Sequence, residues 1–233
     1  MRFKPPPPNS SIGWRVEFRP TEIQLSDMEN AAFACFVVLL TRVILTFKLN
    51  FLIPINFVDE NMKRAAKRNS VNTQKFYFRR GDLLTSKKCK YEAINRWSEQ
   101  SLNDEAKRDK ICHDNDSDDD IDPNTSYIES SINDIINGSD DFPGIVPLIH
   151  HYLSLIECPN AGTIKLINKY LTIISMKASG RLDTTATWLR KQVINHEDYK
   201  HDSKITEKIC YDLMKMAVKI GDGDLVPEDL FLA

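Results

Sequence analysis

Glycine is scarce in this sequence, eight in 233 residues, and none falls where a phosphate-cradling loop would need it. Neither a G-x-x-x-x-G-K-[ST] loop nor a G-x-G-x-x-G turn is present, which sets aside the P-loop and dinucleotide-binding classes. The G-x-S-x-G elbow and the H-E-x-x-H helix are missing too, and with them the serine-hydrolase and zinc-protease signatures. The five cysteines (Cys35, Cys89, Cys112, Cys158, Cys210) are odd in number, far apart and without C-x-x-C spacing. That argues against a disulfide scaffold and a zinc knuckle, and makes a reducing, cytoplasmic setting the expectation.

Long hydrophobic runs are also lacking. The stretch from Ala31 to Phe47 comes nearest to a membrane span but is interrupted by Thr41, Arg42 and Thr46. A span needs about 20 apolar residues, and an arginine at its centre costs about 3 kcal/mol. The expectation is no membrane partner and a buried core helix over 27–48, opened by the S-x-x-E capping box of Ser26 and Glu29. Met1-Arg2-Phe3-Lys4 and the prolines behind it offer no apolar stretch that could act as a signal peptide.

Charge is nearly balanced overall, at −2, but unevenly spread. Residues 1–80 carry 13 Lys and Arg against 6 Asp and Glu, residues 81–142 carry 7 against 16, and the remainder balances at 11 against 11. The basic first third suits phosphate-rich ligands such as nucleotides. It lacks the interleaved aromatic and basic pattern of a nucleic-acid module, so no nucleic acid is expected. Three regions follow: 1–80, an acidic insert over 81–124 expected to be disordered, and a helical region over 125–233. Asp114 to Asp122 has the alternating acids of a calcium loop, but Asp119 stands where that loop needs glycine and Thr125 where it needs glutamate. Cys112-His113 beside it reads as low complexity rather than a metal site.

What the chain does have is a clean alternation. In Gly13-Trp14-Arg15-Val16-Glu17-Phe18-Arg19-Pro20, a strand puts Trp14, Val16 and Phe18 on one face and Arg15, Glu17 and Arg19 on the other. Charges on that face follow one another at roughly 7 Å. A carboxylate flanked by guanidiniums at that spacing can hold a divalent cation beside an anionic substrate, or simply form a solvated face with cross-strand ion pairs. The strand is expected over 12–20, behind an extended polyproline lead-in over 1–11, with a second short strand or turn at Lys75 to Arg79. Two strands rarely make a stable sheet, so the apolar face of Trp14, Val16 and Phe18 calls for strands from elsewhere, most simply from a longer polypeptide.

Helices are expected over Val58 to Asn69 (basic and amphipathic) and from a Ser126/Glu129 capping box to Asn137-Gly138. Others should run from Pro143 through Ile156, from Thr163 to Met176, from Thr184 to Asn195, and from Ile205 to Ile220. This chain is therefore mostly α with one or two strands. His150-His151 reads as a surface or packing doublet, because adjacent helix positions do not share a face. Arg2-x-x-Pro5-x-x-Pro8 fits a ligand for an SH3-type groove, so a non-enzymatic helical module presenting a PxxP ligand is the competing functional class.

The run from Met1 to Ser10 together with Ile12 to Pro20 resembles the eukaryotic glutamate–cysteine ligase family, catalytic subunit. So do Phe36 to Leu45, Asp59-Glu60-Asn61-Met62, Ile135-Ile136-Asn137-Gly138, Phe142-Pro143-Gly144, Ala178-Ser179-Gly180 and Asp198-Tyr199-Lys200. The resemblance covers the C-terminal third of the family's length. It implies an α+β parent, an antiparallel sheet with helices of the glutamine-synthetase-like kind. It implies ATP-dependent joining of the glutamate γ-carboxylate to the cysteine amino group through a γ-glutamyl phosphate, the first step of glutathione biosynthesis. By position, Glu17 resembles a Mg2+ ligand at the ATP phosphates. Arg19 resembles the residue contacting substrate or the transferring phosphoryl oxygens, and Arg2 a second nucleotide- or substrate-side arginine. Lys4 is a weaker candidate, and Arg15 shares the face without a role. The resemblance further implies glutamate, cysteine and ATP as ligands, a modifier subunit as possible partner, and a fragment inactive alone.

Overall fold

The computed structural model describes residues 2–17, 21, 23–79, 127–140, 142–156 and 160–231. The chain opens with a small antiparallel ribbon. Strand β1 (Arg2–Lys4) pairs with β2 (Arg15–Glu17), with Arg2 opposite Glu17, Phe3 opposite Val16 and Lys4 opposite Arg15. The prolines are thus the loop of a hairpin rather than an extended lead-in. Pro5 to Pro8 remove backbone donors right after β1, so pairing stops there, and Asn9 reverses the chain with a left-handed φ of 59°. One of the strands that β2 calls for therefore comes from this chain itself. The outer apolar face stays bare even so: Trp14 is 71% and Phe3 63% exposed.

Helix α1 (Asp27–Phe47) begins as its capping signal predicts, the Ser26 hydroxyl accepting the Glu29 N–H at 3.2 Å. It ends where Lys48 turns left-handed. Ala32, Leu39, Val43 and Phe47 are buried along one face, while Val38 and Leu45 on the opposite face are 60% and 65% exposed. The helix is long and apolar enough to cross a membrane by length and composition alone. Its inner face packs on protein, yet it is not the all-round buried core helix that its composition suggests.

Helix α2 (Ile55–Ala65) starts three residues earlier than its periodicity predicts and stops earlier, and α3 (Ser70–Thr73) restarts the chain after Asn69, which takes a left-handed φ. Strand β3 (Lys75–Arg79) then pairs antiparallel with β4 (Tyr127–Ser131) in register from Lys75 opposite Ser131 to Arg79 opposite Tyr127. This corrects the helix expected from Ser126. Glu129 lies inside β4, and the working capping box sits later, where Ser131 accepts the Asp134 N–H at 3.1 Å and Asp134 accepts the Ser131 N–H at 3.2 Å. Backbone pairing with β3 outweighs the local helix signal.

Helix α4 (Ile132–Asn137) closes at Gly138, and α5 (Ile145–Leu155) starts after Gly144 rather than at Pro143. The reason is close backbone approach. Gly144 has φ +90°, and a Cβ there would lie 2.5 Å from the Gly138 nitrogen. Then come α6 (Ala161–Ala178), α7 (Thr185–Ile194) and α8 (Glu207–Gly221), the first two opened by side-chain caps from Asn160 and Thr184 and the third by Thr206. The larger core gathers Val43, Phe47, Ile149, Leu153 and Leu171 from α1, α5 and α6, while Trp188, Ile220 and Leu230 form a second one toward the chain's end. One buried ion pair crosses the interior: Lys177 Nζ lies 2.8 Å from Glu29, which is fully buried, and also donates to the Asp183 carbonyl at 2.8 Å.

Candidate metal and phosphate site on the amino-terminal ribbon

The alternation that marked residues 13–20 reappears as geometry. Residues directly opposite in an antiparallel ladder share a face, so the register puts Lys4 and Arg15 on the side of Glu17, and the Arg2 backbone stands opposite that of Glu17. Lys4 reaches diagonally, and its Nζ stands 2.7 Å from Glu17 Oε2. Arg15 donates through Nη2 to the Pro5 carbonyl at 3.4 Å. Glu17 keeps a quarter of its side chain exposed, while Oε2, the oxygen that faces Lys4, is itself covered.

Of the residues singled out by sequence, Glu17 and Arg2 are therefore brought opposite one another on adjacent strands. Arg19 and the acidic insert, with Cys89, Cys112 and His113, lie outside the described residues, as does Cys158. Glu17 offers the hard oxygen that magnesium takes, and an ammonium group already stands in contact with it where a cation would bind. The donor set thus fits one carboxylate's share of a magnesium–phosphate site, which commonly uses one or two carboxylates with phosphates and water. Among the described residues no three His, Cys, Asp or Glu side chains converge as a self-sufficient metal cage. A cross-strand ion pair by itself serves a solvated face equally well.

The histidine doublet behaves as packing and surface. His151 stacks on Phe47 with ring centroids 5.6 Å apart, and His150 is exposed. Pro5, Pro6 and Pro8 are exposed on the hairpin loop, but Arg2 of the PxxP pattern is committed to the β1–β2 ladder.

A second charged cluster escaped the sequence reading. Arg64 on α2 contacts Glu60 at 3.1 Å and Glu129 of β4 at 2.9 Å, and donates to the Lys75 carbonyl at 2.8 Å. Its guanidinium also lies 4.8 Å from the Tyr77 ring centre. The hydrogen bond from Arg64 holds the Glu129 carboxyl below its ordinary range. Beside it, Asn61 clasps the β3 backbone, accepting the Tyr77 N–H at 2.8 Å and donating to the Tyr77 carbonyl at 2.9 Å. The Glu60/Arg64 spacing of four was a legible signal; the partner on β4 was not. This cluster fastens a helix to a sheet and leaves its carboxylates engaged, so it reads as structural.

Comparison with known proteins supplies what geometry leaves open. The glutamate–cysteine ligase family model matches residues 1–220. The chain is similar to the glutamate–cysteine ligase catalytic subunits of Mus musculus and Homo sapiens, each 45% identical over 223 residues, 95% of this chain and 32% of the relative. It is also 40% identical to the glutamate–cysteine ligase of Schizosaccharomyces pombe over 227 residues, 96% of this chain and 29% of the relative. The chain spans about a third of the length of the curated relatives it matches.

Proposed function

The chain belongs to the glutamate–cysteine ligase family, and we propose that its amino-terminal ribbon forms one wall of an active site that ligates glutamate to cysteine at the expense of ATP. The observation that carries the reading is the charged face of β1 and β2, with Glu17 cation-paired and opposite Arg2 in register, inside a stretch that the family match covers.

In the proposed reaction a glutamate γ-carboxylate oxygen attacks the γ-phosphorus of ATP and ADP leaves. The cysteine amine nitrogen then attacks the acyl carbon, the C–O bond to phosphate breaks, and the amine gives up a proton as the amide forms. Both steps concentrate negative charge on phosphoryl and acyl oxygens. Glu17 would hold Mg2+, which when bound supplies electrostatic shielding of the phosphates. Arg19 would contact the transferring phosphoryl or substrate carboxylate with its planar fork, and Arg2 would add a second such contact. Cytoplasmic action and a modifier-subunit partner belong to the same reading; the mouse and human relatives bear the name catalytic subunit.

The same reading makes the chain inactive alone. Bare Trp14 and Phe3 on the ribbon, and bare Val38 and Leu45 on α1, are the surfaces an incomplete core would leave uncovered. Purified chain should form no γ-glutamylcysteine from glutamate, cysteine, ATP and Mg2+. A chimera carrying this chain in place of the matching segment of the mouse catalytic subunit should form it. Product from the chain alone, or an inert but folded chimera, would overturn the proposal.

A further inference from the structure

We propose that Lys4 is a displaceable counter-ion for Glu17, which opposes a bare divalent cation at that carboxylate and favours one that arrives with phosphate. The inference rests on the reading of Glu17 as a metal-binding carboxylate.

Three features of the ribbon set this up. Lys4 Nζ is 2.7 Å from Glu17 Oε2, so an ion bonded to that oxygen and the ammonium compete for one place. Register puts Arg15 directly opposite Lys4, a like charge that biases the ammonium toward the carboxylate on the diagonal. Arg15 itself is occupied with the Pro5 carbonyl. The choice of residue fits a placeholder. A lysine makes one compact contact on a flexible stem, whereas an arginine would grip both carboxylate oxygens. Lys4 is 44% exposed along its side chain, which gives it room to swing.

Displacement has a consequence in charge. A divalent ion at Glu17 would leave the Lys4 ammonium beside a like-charged neighbour, a repulsion that a phosphate group on the metal relieves by accepting the freed ammonium. Lys4 would thus couple metal entry to the anion, and change from carboxylate partner to phosphate partner as the site fills.

The test is Mn2+ binding to the full chain, followed by electron paramagnetic resonance of free Mn2+ and by isothermal titration calorimetry without nucleotide. Lys4→Met and Lys4→Gln should each bind Mn2+ about fivefold more tightly than wild type, the worth of a partly exposed ion pair. Adding inorganic triphosphate should shrink or reverse that advantage, because the variants lack the ammonium that meets it. Far-UV circular dichroism confirms that each variant is folded, and either variant suffices if the other is not. No gain in either folded variant, including no binding by any form, would overturn the proposal. Glu17→Gln separates the two readings: if it binds Mn2+ as wild type does, Glu17 is no metal ligand and the premise fails. If it loses binding while the Lys4 variants gain nothing, the counter-ion role alone fails.

Discussion

The ribbon with the outer side of α1 and the helical region from α4 onward differ in how much apolar core their own residues build and in how their charges are arranged. In the helical region Leu148, Ile149, Leu171 and Trp188 are nearly or fully withdrawn from water. Its charges are settled between neighbours, as in Lys208 with Asp198 at 2.6 Å, which holds the Asp198 carboxyl low and the Lys208 ammonium high. In the amino-terminal part Trp14, Val38 and Leu45 face solvent, while charged residues line up along one face of two short strands. The helical region is not closed throughout, since Tyr211, Met214 and Val218 on α8 are each 61% exposed. What sets the amino-terminal part apart is the row of charges on its ribbon beside the bare apolar side chains.

The sharpest way to break this contrast is at the link between the regions. Glu29 is fully buried, and Lys177 is its ion-pair partner across α1 and α6. Removing one partner leaves an uncompensated buried charge, so Lys177→Ala should cost about 3–5 kcal/mol in urea unfolding. The Glu29→Met, Lys177→Met double variant should recover most of that loss. A small loss in the single variant would mean that the two regions are not held together there.

Next in size is a matched pair of truncations. Ile149→Ala empties a position in the larger core and should cost about 2–5 kcal/mol. Leu45→Ala on the bare face of α1 should stay within about 0.5 kcal/mol in the isolated chain. Equal costs would show that α1 is covered on both sides.

The smallest expected effect is one of pH. Glu129 is ionised more readily in the fold, chiefly through its hydrogen bond from Arg64. A depressed carboxyl adds stability above its unfolded value and loses it as pH falls through the folded one. Glu129→Gln should therefore flatten the acid limb of the stability curve below about pH 4.5, near the ordinary glutamate value. Arg64 stays charged there, so the limb belongs to the carboxylate; an unchanged limb would remove Glu129 from the account.

How far the fold could be read in advance follows the range of the forces involved. α7 is bounded by Thr184 and Asn195 as its caps predict, because a cap is a local contact within four residues. β1 was hidden, since three residues before a proline run carry no period, and only pairing with β2 makes them a strand. β4 was misread for the complementary reason: Ser126 and Glu129 imitate a capping box, whereas the deciding partner, β3, is remote in sequence. In the site, Glu17 was legible from alternation, but its pairing with Lys4 depends on a register that no local pattern encodes. The bare side of α1 was also beyond reach, because composition reports how apolar a helix is and not which neighbours cover it.

The central claim is that Glu17 serves chemistry rather than a solvated face, and one measurement addresses it. In the chimera with the mouse catalytic subunit, Glu17→Gln should lower kcat by at least ~100-fold, the scale of losing an electrostatic contact to the transition state. The same substitution should leave the thermal midpoint of the isolated chain nearly unchanged, since the pair with Lys4 is partly exposed. A near-normal kcat would contradict the account and return the Lys4–Glu17 pair to an ordinary surface salt bridge.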